Sequence, residues 1–584
     1  MNSLSSIVTH VSNAKLKMIR HRFSRLYGGE IADSLLDRFY HMLGRYGVGI
    51  DTNGSGKLWD ESDAVLITYP DMVLHDGEVP LETLRRFCAE NLKGAFSTVH
   101  LLPFFPWSSD DGFSVIDYRQ VDERYGNWED VRRFSREFDL MFDLVLNHCS
   151  AQSAWFLDYV SGIEPARNYI LEGTPDTDLS TVVRPRSSPP LMSTSTRTGE
   201  RHVWTTFSPD QIDLDWRSPD LLFEFLDFIM LYLTKGCRIL RLDAVAFLWK
   251  EAGTNCLHLP ETHEVVKLIR NFLEIVSPET ILLTETNVPH EENISYFGCG
   301  DEAHAVYQFS LPPLLLHGLL EGTAVHLTQW AASLEPPPKG CAFLNFTASH
   351  DGIGVRPLEG ILTQEEILAL AEKVKARDGL VSMRSLEDGS EIPYELNATF
   401  FGALSEPDDE ATGQARFLCS QAVAFAMRGI PAVYFHSLTA TPNYLEGVEE
   451  TGRNRTINRR KWKREELAGL LDDNGTATAR VFDWCARLLR RRASSPAFHP
   501  DASQATRDFG SDLFVIERTS LDETQTVLCV FNFTNAPAPL SREGRLAELF
   551  PDGKARDLVG GSEIPIPEKG IILHPYQALW LLPR

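Results

Sequence analysis

The chain has 584 residues, enough for one large domain and one to three smaller ones, with an ordinary globular composition of 43% hydrophobic and 23% charged residues. A formal net charge of −25 excludes nucleic acid and anionic membrane surfaces as partners, since both need a basic face. Nine cysteines, scattered and without CxxC or Cys/His ligand spacing, point to a reduced, cytoplasmic protein, and no apolar run reaches the roughly 18 residues of a membrane span.

The first 29 residues carry Lys15, Lys17, Arg20, Arg22 and Arg25 and no acid. Organellar transit peptides share that composition, but the stretch continues into IADSLLDRFYHMLGRYG (Ile31–Gly47) as an amphipathic helical pattern. Residues 1–60 are therefore expected to form an N-terminal helical extension. Eight strand-like runs follow: Ala64–Pro70, Thr98–Phe104, Leu140–His148, Arg238–Phe247, Ile281–Thr286, Ala305–Leu311, Cys341–Asp351 and Pro431–Ser437. Helix-like segments such as Leu81–Leu92 and Asn127–Phe138 separate most of them. This alternation predicts an α/β fold, a (β/α)8 TIM barrel over residues 61–498.

Two spacings are too long for simple crossovers. A Pro/Ser/Thr-rich stretch after the third strand predicts an inserted domain at 150–218, and a second insertion is expected at 352–399. Beyond residue 499 the alternating runs Leu513–Thr519, Thr526–Thr534, Gly570–Pro575 and Gln577–Pro583 predict a separate antiparallel β domain over 499–584.

Three of the strand-like runs end in a carboxylate: Asp243, Glu285 and Asp351. Burying an unpaired carboxylate is costly, so a single one would be read as a strand-end cap or half of an ion pair. Three at the ends of strands of one parallel barrel converge at one end and mark an active site. Arg241 and His350 stand beside two of them as hydrogen-bonding partners.

FDLVLNH (Phe142–His148), RILRLDAV (Arg238–Val245), LLTETN (Leu282–Asn287) and FTASHD (Phe346–Asp351) resemble, in order, the four signature strands of the α-amylase superfamily, glycoside hydrolase family 13. Leu101–Asp130, RPR (Arg184–Arg186), QIDLDW (Gln211–Trp216), LPPLLLH (Leu311–His317), HDGIG (His350–Gly354) and NRTINR (Asn454–Arg459) are similar to its sucrose phosphorylase-like subfamily. The segments Thr451–Trp462 and Tyr296–Phe309 and the N-terminal extension look most like glucosylglycerate phosphorylases. By this resemblance Asp243 is the nucleophile, Glu285 the acid/base and Asp351 the transition-state stabiliser of a retaining double displacement. Such chemistry needs two carboxyl groups about 5–5.5 Å apart. Arg241, two residues from Asp243 on the same strand face, would keep it ionised, and the apolar surroundings of Glu285 should raise its pKa.

The resemblance also implies a glucose pocket of Asp110, Phe113, His148, His350 and Arg455. Taken alone, each has a plainer reading, such as a core histidine, turn chemistry at Asp110–Gly112 or a solvated basic run from Arg453 to Lys463. Phosphate and glycerate are anions, and Arg186, on a Pro-rich loop with Arg184, is expected to contact one of them. Arg186, Arg356 and Arg453 are the candidates for a glycerate carboxylate. The activity implied is phosphorolysis of 2-O-α-D-glucosyl-D-glycerate to α-D-glucose 1-phosphate and D-glycerate, with phosphate as co-substrate and no cofactor or metal. Sucrose 6′-phosphate, sucrose and glucosylglycerol remain open as substrates, as do an α-glucosidase or transglycosylase and a non-catalytic sugar-binding protein. Self-association into a homodimer is also left open.

Overall fold

In a computed structural model, residues 11–47, 57–184, 189–385 and 391–583 are described. Eight parallel strands close into a barrel: β1 (Val65–Thr68), β2 (Thr98–Leu101), β3 (Asp139–Val145), β4 (Cys237–Asp243), β5 (Ile281–Thr284), β6 (Ala305–Tyr307), β7 (Ala342–Phe346) and β8 (Ile430–Tyr434). Each pairs with its neighbour in chain order, and β8 pairs with β1 at Val65↔Ala432. The strands are buried on both faces, which explains why they read as continuous apolar runs rather than alternating ones.

Helices cover the barrel, and local chemistry fixes where they start. Those at Pro219–Thr234, Pro260–Val276 and Leu311–Glu321 carry proline in the first turn, where a missing N–H costs nothing. Trp128–Phe134 begins with a capping box between Asn127 and Asp130. The N-terminal helices Asn13–Tyr27 and Ala32–Arg45 dock on this layer: Phe39 meets Phe272 edge-on at 5.8 Å, and Arg22 pairs with Glu264 at 3.1 Å.

All eight predicted runs overlap a barrel strand, but most of them run on past the strand's end. Phe104, His148, Phe247, Leu311, Asp351 and Ser437 lie beyond β2, β3, β4, β6, β7 and β8. Part of the overshoot has a cause: beyond β3, β4 and β7 the chain lines the cavity above the barrel through His148, Phe247 and Asp351.

Between β3 and β4 the chain forms a short pair, His148–Ser150 with Gln211–Asp213, and a three-stranded antiparallel sheet of Glu172–Gly173, Gly199–Trp204 and Leu191–Thr196. Between β7 and β8 the strands Ile353–Gly354, Glu391–Asn397 and Leu380–Ser385 form another sheet, beside the helix Gln364–Lys375. The C-terminal region is a six-stranded antiparallel sheet in the order Ser503–Arg507, Leu513–Thr519, Thr526–Asn532, Ala578–Pro583, Lys554–Asp557, Ser562–Pro565. One face packs toward the barrel helices, where Arg416 Nε donates to Tyr576 Oη at 3.1 Å. Among the described residues no helix is long and apolar enough to cross a membrane.

Candidate active site

Asp243 is the last residue of β4, and Arg241 shares its side of the strand because side chains alternate. Arg241 Nη1 donates to Asp243 Oδ1 at 2.8 Å and forms a tight ion pair with Asp143 Oδ1 on β3, its partner in strand register. Its Nη2 lies 3.9 Å from Glu285 Oε2. Asp143 in turn accepts from His100 Nε2 on β2 at 2.7 Å. A single guanidinium thus touches both carboxyls that the sequence paired.

Ala244 follows Asp243 with φ +49°, a left-handed backbone that costs a non-glycine residue about 1–2 kcal/mol. The turn aims its N–H at Glu285 Oε2, at 3.1 Å. Glu285 is placed by its own N–H on Leu242 O at 3.0 Å. The end of β4 therefore grips the residue that ends β5.

Asp351 lies beyond β7 in a cationic cradle. Arg455 Nη1 forms a tight ion pair with its Oδ1, and Arg459 Nη2 stands 3.7 Å from the same atom. Arg455 is itself held by a fork onto Glu395, Nε–Oε1 3.0 Å and Nη2–Oε2 2.8 Å. Glu395 also accepts from the Gly352 N–H at 2.7 Å and from Asn397 Nδ2 at 2.8 Å.

His350 stacks on Phe113 with centroids 4.7 Å apart and rings 6° from parallel. His148 contacts Phe113 O at 2.9 Å and Gln211 Nε2 at 3.1 Å through Nε2, and Asn147 Nδ2 at 3.2 Å through Nδ1. Asp110 has φ +54° and receives Gln211 Nε2 at 3.3 Å. Gly112 makes that turn possible: at φ +110°, a Cβ there would stand 2.8 Å from Pro103 O.

Asp110, Phe113, His148, Arg241, Asp243, Glu285, His350, Asp351 and Arg455 all line one cavity of about 140 Å³ at the C-terminal end of the barrel. Arg184 and Arg356 line it too, and Arg184 sits at the end of a segment clipped down by Val183 N–H on Asn255 O at 3.0 Å. Arg186 lies outside the described residues. Arg453 lines a different cavity, with Tyr69, Asp111 and Arg459.

Comparison with known proteins gives the family. Residues 93–331 match the family described as the α-amylase catalytic domain. The glucosylglycerate phosphorylase of Spirochaeta thermophila is 44% identical, the match covering 97% of this chain and 98% of the relative. That of Escherichia coli K12 is 42% identical over 95% and 98%. The chain belongs to the glucosylglycerate phosphorylase family within the α-amylase superfamily. A crystal structure of sucrose 6F-phosphate phosphorylase from Thermoanaerobacter thermosaccharolyticum superposes with a TM-score of 0.71 at 26% identity, covering 82% of this chain and 95% of that one.

The electrostatics separate the acids of this family member. Burial pushes Asp243 up to about 8 and raises Glu285 as well, and each negative charge makes the other's harder to form. The guanidinium is 2.8 Å from Asp243 and 3.9 Å from Glu285, so it favours charge on Asp243 over charge on Glu285. Burial alone would raise Asp351, but Arg455 and Arg459 outweigh it and hold that carboxyl far below the aspartate range. Burial also keeps His350 neutral, its pKa lowered to about 3.

Three buried participants escaped the sequence reading. Asp143 shows the same sign as the three acids, a carboxylate inside the apolar run LMFDLVL, and its register opposite Arg241 completes it. Its partner His100 sits in a run read only as a strand. Glu395 lies in a strand between β7 and β8, where PYELNA carries no mark distinguishing it from a surface alternation.

Proposed function

We propose that the protein is a retaining glycoside phosphorylase, a hexosyltransferase that cleaves 2-O-α-D-glucosyl-D-glycerate with inorganic phosphate to α-D-glucose 1-phosphate and D-glycerate. The observation that carries the mechanism is the single Arg241 guanidinium reaching Asp243 at 2.8 Å and Glu285 at 3.9 Å. It supports one ionised and one protonated carboxyl facing a shared sugar-sized cavity, as double displacement requires.

In the first step an Asp243 oxygen attacks the anomeric carbon as the bond to glycerate breaks, and Glu285 gives its proton to the departing oxygen. In the second, a phosphate oxygen attacks the same carbon, its proton passes to Glu285, and the bond to Asp243 breaks. Both displacements invert, so the configuration is retained. Asp351, kept ionised by Arg455, grips sugar hydroxyls and stabilises the oxocarbenium-like transition state. Asp110, His148, His350 and Arg455 complete the sugar pocket, with Phe113 as its apolar wall. The scheme uses no cofactor.

The substrate reading is supported by the two relatives, which share more than two-fifths of their residues with this chain over nearly its whole length. The nine free cysteines fit a reducing, cytoplasmic compartment. The regions between β3 and β4, between β7 and β8, and beyond residue 499 are read as separate modules added to the barrel. Incubating the enzyme with α-glucose 1-phosphate and glycerate, fructose, fructose 6-phosphate or glycerol tests the reading. Phosphate release fastest with glycerate is expected. Phosphate release that does not depend on an added acceptor would make the protein a hydrolase.

A further inference from the structure

Two fully buried arginines show how a withdrawn guanidinium is satisfied. Arg492 donates to the carbonyls of Phe425, Glu61, Asp63, Gly429 and Phe498, and Arg518 donates to those of Ser503, Ala426, His499 and Ala502. This is expected of a guanidinium withdrawn from water, whose unmade bonds cost free energy.

Arg356 departs from that pattern. Its side chain is only 15% exposed, yet among the described residues it makes no hydrogen bond, and its nearest carboxylate, Glu359, is 3.9 Å from Nε. Its Nε is buried without a partner. Among the described residues, the other arginines lining the cavity are committed or exposed. Arg241 is held by Asp143 and Asp243, Arg455 by Asp351 and Glu395, and Arg384 by Glu359 at 2.8 Å, while Arg184 is exposed.

Arg356 and the acid/base line the same cavity, and their chain segments meet. Asn287 is two residues past Glu285, and Gly354 is two residues before Arg356. A Cβ on Gly354 would stand 2.4 Å from Asn287 Nδ2, so the two segments meet closely at this glycine. Pro357 O is pinned by Ser310 Oγ at 3.2 Å, and Val355 N–H by Tyr394 O at 3.2 Å. Asn287 Oδ1 is likewise buried and unpartnered. Arg356 and Asn287 both line the cavity beside Glu285.

The chemistry of the reaction supplies an occupant. Phosphate and glycerate attack the same anomeric carbon in opposite directions of one equilibrium, so each brings an oxygen to Glu285. In phosphate the remaining charge is on the attacking oxygen's own phosphorus. In glycerate the carboxylate is on the carbon that bears the attacking hydroxyl. Both deliver an oxyanion to one spot a few bonds from the reacting oxygen, a target for a planar guanidinium fork.

We propose that Arg356 is the oxyanion-recognition residue of the acceptor subsite, binding the glycerate carboxylate and phosphate in turn. This inference rests on the phosphorylase reading above. The test uses α-glucosyl fluoride as donor and compares kcat/KM for transfer to glycerate, to inorganic phosphate and to uncharged glycerol, in the wild type, R356A and R356K. Ratios within one variant cancel any general loss of active protein. In R356A the glycerate/glycerol and phosphate/glycerol ratios should each fall at least about 30-fold, as for truncation of a buried charge contact. R356K, with the charge but not the fork, should lie between. Ratios within about threefold of wild type in both variants, with wild-type transfer to glycerate intact, would overturn this inference alone. A wild type that transfers to neither anion would overturn the phosphorylase reading and this inference with it.

Discussion

Glu285→Gln is the substitution from which the proposed chemistry can be read most fully. The amide keeps the size of the carboxyl and an oxygen to accept the Ala244 N–H at 3.1 Å, so the packing that ties β4 to β5 survives. The ion pair it removes, Glu285 with Arg241, is long at 3.9 Å, and Arg241 keeps Asp143 and Asp243. What disappears is the proton that Glu285 holds because burial raises its pKa. Release of glycerate passes through a poor alkoxide leaving group, so loss of general acid help should cost about 10²–10⁴-fold, or about 3–5.5 kcal/mol. Fluoride leaves without a proton, so glucosylation from α-glucosyl fluoride should fall by less than about tenfold. The assay is rapid-quench measurement of glycerate release from glucosylglycerate beside fluoride release from the fluoride donor. Equal losses on the two donors would refute the acid assignment, and a collapse in thermal stability would refute the packing argument.

Other perturbations probe the surrounding network. Asp143→Asn leaves Arg241 short of a buried partner and should destabilise the fold by about 3–5 kcal/mol in urea denaturation; a change under about 1 kcal/mol would show that the ion pair is not structurally important. Arg455→Lys keeps the charge beside Asp351 but loses the fork on Glu395, and should lower kcat/KM roughly ten- to a hundredfold with little change in global fold by circular dichroism. Gly112→Ala would force a Cβ to within 2.8 Å of Pro103 O at φ +110°; KM for the glucoside should rise as Asp110 is displaced, and an unchanged KM would count against Asp110 as a sugar ligand. Glucosylation without phosphate should be bell-shaped in pH. The acid limb, where Asp243 becomes protonated, should lie above the ordinary aspartate value of 3.8, and activity should fall again as rising pH strips Glu285, whose limb lies above its ordinary 4.5. An alkaline plateau would contradict the acid role.

The barrel was legible because its strands are buried on both faces, giving eight apolar runs that no amphipathic helix would produce. The acids were legible for the complementary reason: Asp243, Glu285 and Asp351 are charges where an apolar run has no use for them. Strand ends were less legible, since residues beyond them continue the apolar pattern: Phe104 packs on Trp128 and Phe142, and Phe247 walls the cavity. The support of the site was legible only in part. Arg241 declares itself by sharing parity with Asp243, but Glu395 lies 60 residues from its partner Arg455, and nothing local in either segment signals the other. The left-handed turn at Ala244, which aims an N–H at Glu285, is also silent in sequence, because alanine carries no preference for that conformation.

The claim on which the mechanism depends is that Asp243 forms a covalent bond to the sugar opposite Glu285. Mixing Glu285→Gln with α-glucosyl fluoride, quenching in acid and recording the intact mass tests it directly, because the variant can form the glucosyl-enzyme but resolves it slowly. A gain of one glucosyl residue, mapped by proteolysis to the peptide containing Asp243, is the expected result. No adduct, or an adduct on any other residue, would contradict it.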